Sequence, residues 1–343
     1  IVDAGYTQGY KKTDNKKTSG PRSHFFSNFV YNLIDEGERK SDIKLNLEKT
    51  SNDTYMRVHG INSILANKNK KVLENQIDFY YQYKDLFVGL TPSVFEDTDK
   101  IGHLRHEYLL PLTVEKNIIA SEKYGFLDLN SNLRLRNYEV NKKLNLLVNN
   151  FNWKSNKWLS SIGVENYFEG IFKNVNYEAK NTEKYKNDNN NSEAQLALGY
   201  FAKLGLYKEN LINKSIQSFT PKILLRYAPG HMRDVKGGRL NYSNLFDLNK
   251  VKQIDVLEPG LSTSVGFEYK KNKLDKSGSI GSEKHSFKLG QVISEKENMD
   301  IPSATSLDQR FSDVVGKATY NVNSNFNLNY DFSIDQSYKT FNY

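Results

Sequence analysis

The sequence predicts an all-β protein built as one large antiparallel sheet, for which a membrane-spanning barrel is the favoured architecture. Many stretches alternate strictly between apolar and polar residues, no long amphipathic helix is evident, and no apolar run approaches the ~20 residues of a spanning helix. Alternation is the period of a β-strand, whose successive side chains point to opposite faces. Such two-faced strands occur in soluble sheets that cover a core and in barrels that enclose a hydrated lumen.

The alternation is clearest in NFNLNYDFSID (325–335) and FLDLNSNLRLR (126–136). In a barrel, we expect the apolar parity to face lipid: Phe326, Leu328, Tyr330, Phe332 and Ile334, with Leu127, Leu129, Leu133 and Leu135. We expect the polar parity to face the lumen: Asn325, Asn327, Asn329, Asp331, Ser333 and Asp335, with Asp128, Asn130, Asn132, Arg134 and Arg136.

Further stretches extend the same period along the chain. The stronger ones are LALGYFAKLGL (196–206) and LSTSVGFEYK (261–270), and the weaker ones are DIKLNLEK (42–49), QIDFYYQY (76–83), KLNLLVNN (143–150), WLSSIGVENYF (158–168), TPKILLRY (220–227), SFKLGQVI (286–293) and GKATYNV (316–322). We count roughly fourteen to sixteen strands, beginning at roughly residue 23.

The connectors fall into two classes. Short ones that fit hairpin turns are NYEVNK (137–142), KSNK (154–157) and NVNSN (321–325), and long polar ones lie at 179–194, 228–256, 271–284 and 294–310. Short turns on one side and long loops on the other are typical of outer-membrane barrels.

Composition permits this architecture. The chain has 38% hydrophobic and 26% charged residues and a mean hydropathy of −0.68, which is too polar for a helical membrane protein. A barrel strand needs only about half of its residues to be apolar. The 13% of aromatic residues, mainly 22 Tyr and 19 Phe, suit interfacial girdles, although they are also good strand residues in any sheet.

The strands continue without a linker or a change of composition, which predicts that residues 1–343 form part of one barrel domain. An open twisted sheet of that size would curl, split or close. The residues favour a membrane barrel, and a soluble sandwich or solenoid remains the alternative.

Sequence motifs give little support to an enzyme. Cysteine is absent, and no phosphate loop, serine elbow or zinc-protease motif occurs. The HLRH stretch holds His103 and His106 in a predicted loop, where solvated histidines are expected. We therefore predict no catalytic residue, no cofactor and no metal. The net charge of +8 is spread along the chain, so nucleic acid is not an expected partner.

One long segment stands out from the other connectors. Turn-forming residues bracket it: Pro229, Gly230, Gly237, Gly238, Pro259 and Gly260. They fit ordinary turns beside strand ends, or a loop that folds over or into a barrel.

A series of motifs follows in a specific order along the second half of the chain: LLRYAPG is followed by NLFDLNK, IDVLEPG, a GQ-containing strand, and SDVVG at the start of a hairpin. This order resembles the C-terminal barrel domain of the LptD family of lipopolysaccharide-assembly proteins, also called the organic solvent tolerance family. Earlier stretches, LLPLTVE, LDLNSNLRLR and LSSIGVENYFE, are similar to the preceding part of that barrel. The resemblance covers most of residues 20–340 and is strongest from 220 to 338.

The resemblance implies an antiparallel barrel in the Gram-negative outer membrane that inserts lipopolysaccharide (LPS) into the outer leaflet. It also implies an LptE-like lipoprotein that plugs the lumen, periplasmic bridge proteins that deliver the lipid, and lateral release through a seam between the first and last strands. It implies no catalysis and no cofactor. A porin-like channel is the main rival, and a soluble all-β binding or structural protein is a further one.

Three departures from the family pattern matter: the first two lead us to expect a fragment, and the third means that disulfide-dependent maturation is not assumed for this chain. The periplasmic jelly-roll domain and the final barrel strands are expected to lie outside this chain. The cysteines that form interdomain disulfides in some members are absent.

Overall fold

The structure is a computed structural model that describes residues 1–13, 16–186, 189–210, 212, 214–235, 237–274, 280–323, 326–335, 337 and 339–342. The chain divides into two compact units. Unit 1 comprises 1–117, 129–149 and 175–193, and unit 2 comprises 118–128, 150–174 and 194–343.

Nineteen β-strands occur among the described residues. They are β1 (Val2–Thr13), β2 (Lys16–Glu36), β3 (Arg39–Thr50), β4 (Val72–Tyr83), β5 (Leu86–Leu90), β6 (Ser93–Asp97), β7 (His106–Ser121), β8 (Gly125–Tyr138), β9 (Lys142–Lys154), β10 (Trp158–Leu159), β11 (Val164–Lys180), β12 (Asn190–Leu204), β13 (Leu206–Asn210), β14 (Ser215–Ala228), β15 (Gly260–Leu274), β16 (Ile280–Ser294), β17 (Val314–Asn323), β18 (Phe326–Ile334) and β19 (Thr340–Asn342). Helical residues form α1 (Tyr55–Val58) and two 3-10 turns, Gly102–Leu104 and Ser303–Thr305. None of the helices seen in these residues is long and apolar enough to cross a membrane.

Unit 1 contains the ladder from β1 to β7. Strands β1 to β4 pair antiparallel in chain order, and β5 and β6 both pair with β4 and β7. The break between β5 and β6 falls at Pro92, which has no backbone N–H to donate to a ladder. A small core forms where the 51–71 connector folds back on β2, and Phe26 packs there against Tyr55.

Unit 2 contains a longer ladder. Strands β14 to β19 pair antiparallel in chain order, and β12 and β13 both pair with β14. Strand β10 adds two residues beside β11. Counting β5 with β6, β9 with β10, and β12 with β13 as interrupted strands leaves sixteen, within the predicted range.

The long connectors of each ladder share one end, and the connectors that lie between them in the chain are at the other end, because consecutive antiparallel strands reverse direction. In unit 1 the long connectors 51–71 and 98–105 share one end, and the short connectors 37–38 and 84–85 share the other. In unit 2 the long connectors are 229–259 and 295–313, and the short connectors at the opposite end include 160–163 and 211–214. The predicted division into two connector classes is confirmed, but 271–284 is not a long connector, because β15 extends to Leu274 and β16 begins at Ile280 and the two strands pair there. Asn325 and parts of the predicted connectors 179–194, 228–256, 271–284 and 321–325 lie outside the described residues.

Three further local predictions were wrong. Residues 160–163, predicted within a strand, form a turn in which Gly163 has φ +81° and Ser160 and Val164 are hydrogen-bonded. KSNK is no hairpin turn, because the Ser155 N–H donates to the Phe168 carbonyl and pairing with β11 continues. Strand β1 was missed, since GYTQGY carries little alternation.

Residues 229–259, which we call the packed loop, fold back onto one face of unit 2. Apolar loop residues, among them Leu245, Leu248 and Val256, are almost fully buried against strand residues such as Leu224 and Val292. The apolar area that this packing removes from water stabilises the loop on the sheet. Of the two possibilities that the sequence left open, the loop that folds over the strands is the one observed.

Glycine on the covered face makes room for the packed loop. A Cβ at Gly290 would overlap Leu245 and would lie 2.7 Å from the Val265 carbonyl oxygen. We expect Gly290→Ala to weaken the seating of the loop by roughly 1–3 kcal/mol through overpacking. Trypsin should then cut the loop faster in the folded full-length protein, because cleavage follows the opened population.

The matched control is Gly20→Ala, at a strand glycine whose added Cβ would meet nothing closer than 4.0 Å. Equal rates of loop cleavage in the two variants would show that Gly290 does not seat the loop.

Candidate functional site

The register of unit 2 separates two faces of the sheet, because residues paired across antiparallel strands share a face. One row across neighbouring strands is largely apolar and aromatic: Phe219, Tyr269, Phe287, Ala318 and Tyr330. The adjacent row is polar: Ser218, Lys270, Ser286, Thr319 and Asn329. We call these the aromatic face and the polar face. The packed loop covers part of the polar face.

The two predicted parities of 326–334 lie on these two faces. On the polar face, Asn329 accepts a 2.9 Å hydrogen bond from Thr319, and Asp331 is 3.1 Å from the Lys317 ammonium. On the aromatic face, Tyr330 and Phe332 stack with ring centroids 5.5 Å apart. Phe326, Leu328 and Tyr330 are about half exposed, whereas Phe332 is buried. The assignment of these faces to lumen and lipid stays a prediction.

Polar side chains of β8 are also hydrogen-bonded to side chains of β7. Asn130 donates to Glu115 at 2.7 Å, and Arg136 donates to Glu107 at 2.6 Å while its guanidinium lies over the Tyr138 ring. Asn132 accepts a hydrogen bond from Thr113. The leucines of the other parity are half-buried: Leu127, Leu129, Leu133 and Leu135. Asp128 and Arg134 are exposed.

Two buried cations from the strands hold the packed loop. Arg226, whose side chain is 1% exposed, donates to the carbonyls of Leu248 (2.6 Å) and Glu258. The Lys173 ammonium donates to three loop carbonyls at 2.8–3.2 Å, those of Gln253, Ile254 and Val256. A buried charge is tolerated only where hydrogen bonds replace its hydration. Arg226 and Lys173 therefore fix the course of the loop backbone.

A second polar network lies within the loop itself. The Glu258 carboxylate accepts the Lys250 backbone N–H at 2.6 Å and lies 3.8 Å from Arg226. Asn244 is buried and donates to the Arg239 and Lys250 carbonyls. The NLFDLNK and IDVLEPG motifs thus supply the acceptors and donors that close the loop.

Burial changes the ionisation of two loop side chains. Burial lowers the pKa of the Lys250 ammonium to about 7; nearby Arg226 lowers it further, and the carboxylates of Glu258, Asp247 and Glu169 oppose the shift. Its Nζ donates to the Asp247 carbonyl at 3.1 Å. Burial raises the pKa of the Tyr242 phenol, so its hydroxyl stays protonated and donates to the Phe267 carbonyl.

Sequence reasoning missed Arg226, Lys173 and Glu258. Arg226 and Lys173 bind carbonyls between 22 and 83 residues away in the chain, and Glu258 pairs with Lys250 within a loop that has no regular period, so no local pattern marks them. The sequence does contain one signal that a loop covers this face, which is glycine on the polar parity of otherwise regular strands. A Cβ at Gly199 would lie 2.6 Å from Leu248 of the packed loop. No cluster of three or more His, Asp or Glu suited to a metal occurs in the part of the chain that the structure describes.

Antiparallel strands with one polar and one exposed aromatic face, and with connectors of unequal length at their two ends, are the pattern of outer-membrane β-barrel proteins. The family model for LptD, LPS transport system D, matches residues 122–343. The chain therefore belongs to the LptD family. No curated protein matches the chain.

Membership decides several questions that the residues left open. The LptD family consists of outer-membrane β-barrel proteins, so the predicted fold class and location are confirmed and the soluble alternative is wrong. It is a transport and assembly family rather than an enzyme family, and its substrate is LPS.

Removing the Arg226 guanidinium tests the loop anchor. We expect Arg226→Met to release the packed loop, because each buried carbonyl left without a donor costs roughly 1–3 kcal/mol. Faster cleavage after Arg233 or Arg239 by trypsin would reveal the release in the full-length protein. Arg134→Met, which removes an exposed arginine, is the control and should leave the rate unchanged. A loop that stays resistant in Arg226→Met would contradict the anchoring role.

Lys250 should make loop packing depend on pH. Its pKa in the folded loop, about 7, lies below the ordinary value of 10.5, so the opened loop binds more protons between these values. Packing should therefore strengthen as pH rises from about 7 towards 10.5 and be weakest below 7. Hydrogen exchange of the loop amides, corrected for intrinsic rates, should show rising protection over this window. Lys250→Met should flatten the trend, and an unchanged trend in that variant would assign it to another group.

Proposed function

We propose that this chain forms part of a barrel that releases LPS sideways into the outer leaflet while an LptE-like lipoprotein occupies its lumen. Periplasmic bridge proteins would deliver the lipid. The observation that carries the proposal is the separation of a hydrogen-bonded polar face from an exposed aromatic face across the strands of unit 2. A protein plug and a passing saccharide both require a hydrated wall, whereas the aromatic face suits contact with acyl chains.

We assign the predicted residues accordingly. The proposed lumen-facing residues are Asp128, Asn130, Asn132, Arg134, Arg136, Asn327, Asn329, Asp331 and Ser333. The proposed lipid-facing residues are Leu127, Leu129, Leu133, Leu135, Phe326, Leu328, Tyr330, Phe332 and Ile334. The long connectors would lie outside the cell and the short ones in the periplasm, as in other outer-membrane barrels.

Photocrosslinking in cells tests the proposal with the full-length protein. Probes at Asn130, Asn132, Asn327 and Asn329 should yield adducts with LPS or with a lipoprotein. Asn327 and Asn329 follow the short connector before β18, which the proposal places at the periplasmic end, far from the LPS of the outer leaflet. An LPS adduct at these two sites would therefore come from lipid in transit.

A probe at Leu328 is the matched control, because it lies between the two polar sites on the opposite face. It should give neither adduct. If no polar-face probe gives an adduct and the purified barrel conducts ions, the porin-like alternative replaces this proposal. Equal LPS adducts from Leu328 and its neighbours would contradict the assignment of the two faces.

A further inference from the structure

Five lysines gather on the polar face of unit 2, between the packed loop and the short connectors. This lysine cluster consists of Lys203, Lys222, Lys270, Lys288 and Lys317, and the carboxylates in contact with it are Glu165, Glu268 and Asp331. Glu165 also contacts Lys157 at 2.9 Å. The positive charges outnumber the negative ones, so the cluster carries a net positive charge.

One carboxylate serves three of the lysines. Glu268 lies 2.8 Å from Lys222, 2.8 Å from Lys270 and 3.0 Å from Lys288. The Glu268 side chain is 12% exposed and that of Lys222 is 18% exposed, so water screens this group only in part. A single negative charge leaves two of the three ammonium charges uncompensated.

The register places like charges directly opposite each other. Lys203 pairs with Lys222 across β12 and β14, and Lys288 pairs with Lys317 across β16 and β17. Directly opposite like charges destabilise a sheet. A bound anion between these side chains would replace the repulsion with attraction. The arrangement therefore suits the binding of an anion better than it suits strand pairing.

The cluster borders a cavity large enough for such an anion. The cavity has a volume of about 510 Å³ and is lined by Lys203, Lys222 and Lys270 together with the hydroxyl residues Tyr207, Ser218 and Thr220. Lys222, which lines the cavity, also lies beside the packed loop, since its ammonium is 5.7 Å from the centre of the Tyr242 ring and 5.9 Å from that of Phe246. Hydroxyl groups and ammonium groups around a pocket of this size suit a phosphate on a sugar.

We propose that the lysine cluster binds a phosphate group of LPS as the lipid passes along the polar face. This inference rests on the proposed function, because LPS reaches the cluster only if the polar face lines its path. Lysine binds phosphate as a point charge that can follow a moving ligand, unlike the fixed fork of arginine. The surplus of positive charge attracts the phosphate. The Glu268 carboxylate lowers the affinity of the site, so the phosphate is not held too tightly.

The test uses the full-length protein with a photoreactive probe at Thr220. Wild-type protein should give an LPS adduct there, and inorganic phosphate in excess should compete with it. Lys222→Gln combined with Lys288→Gln should lower the adduct yield about tenfold, because two charge-assisted contacts are lost. LPS stripped of its phosphates should give a similarly low yield with wild-type protein.

The matched control combines Lys208→Gln with Lys273→Gln, which removes the same charge from exposed positions on the aromatic face. It should leave the adduct yield unchanged. Both double variants should retain the heat-dependent electrophoretic shift of a folded barrel. Equal adduct yields in the two variants, or equal yields with intact and dephosphorylated LPS, would overturn the proposal.

Other outcomes separate the possible occupants. Saturable phosphate binding without any LPS adduct at Thr220 would assign the cluster to free phosphate. Loss of a lipoprotein adduct with the LPS adduct intact would make it a contact for the plug. LPS adducts at Asn327 and Asn329 without one at Thr220 would overturn this inference alone, whereas the absence of both LPS and lipoprotein adducts at all these sites would overturn the proposed function.

Discussion

The antiparallel register of the strands is the constraint on which the other features of the protein depend. A slip of one residue would move every side chain of a strand to the opposite face, exchanging Asp331 for its apolar neighbours. The two faces differ so strongly in polarity that such a slip would expose aromatic rings to the polar side and carboxylates to the other. Polarity and register therefore reinforce each other along the whole ladder.

The packed loop depends on that register as well. Lys173 and Arg226 reach loop carbonyls only because their strands present them on the covered face. The Lys173 ammonium and the Arg226 guanidinium donate to backbone carbonyls, which fix the path of the loop, and the buried Glu258 carboxylate lies 3.8 Å from Arg226. Apolar packing then fills the remaining space, where Gly199 and Gly290 leave room for leucine side chains. A loop held in this way is a fixed part of the surface on the face of the sheet that it covers.

The polar face thus has two regions of different chemistry. Under the packed loop it is closed, with Leu224 and Val292 in the core and Arg226 and Lys173 bound to loop carbonyls. Beyond the loop it carries the lysine cluster beside an open cavity. The boundary between them is formed by Tyr242 and Phe246, whose rings face both the core and the Lys222 ammonium. A molecule that moves along this face would meet charge and hydroxyl groups first and a closed surface next.

The sequence by itself determined the strand class, the two parities of 326–334 and the two kinds of connector, because these depend on a local period of two and on turn residues. The order of its motifs also indicated the family. Only the tertiary structure decided that Phe201, on the polar parity, is buried beneath a loop, and that Lys173 binds carbonyls about eighty residues away. It also placed the β10–β11 turn at 160–163 rather than at 154–157. These contacts join distant parts of the chain, and a local alternation carries no information about which distant residue will cover a face.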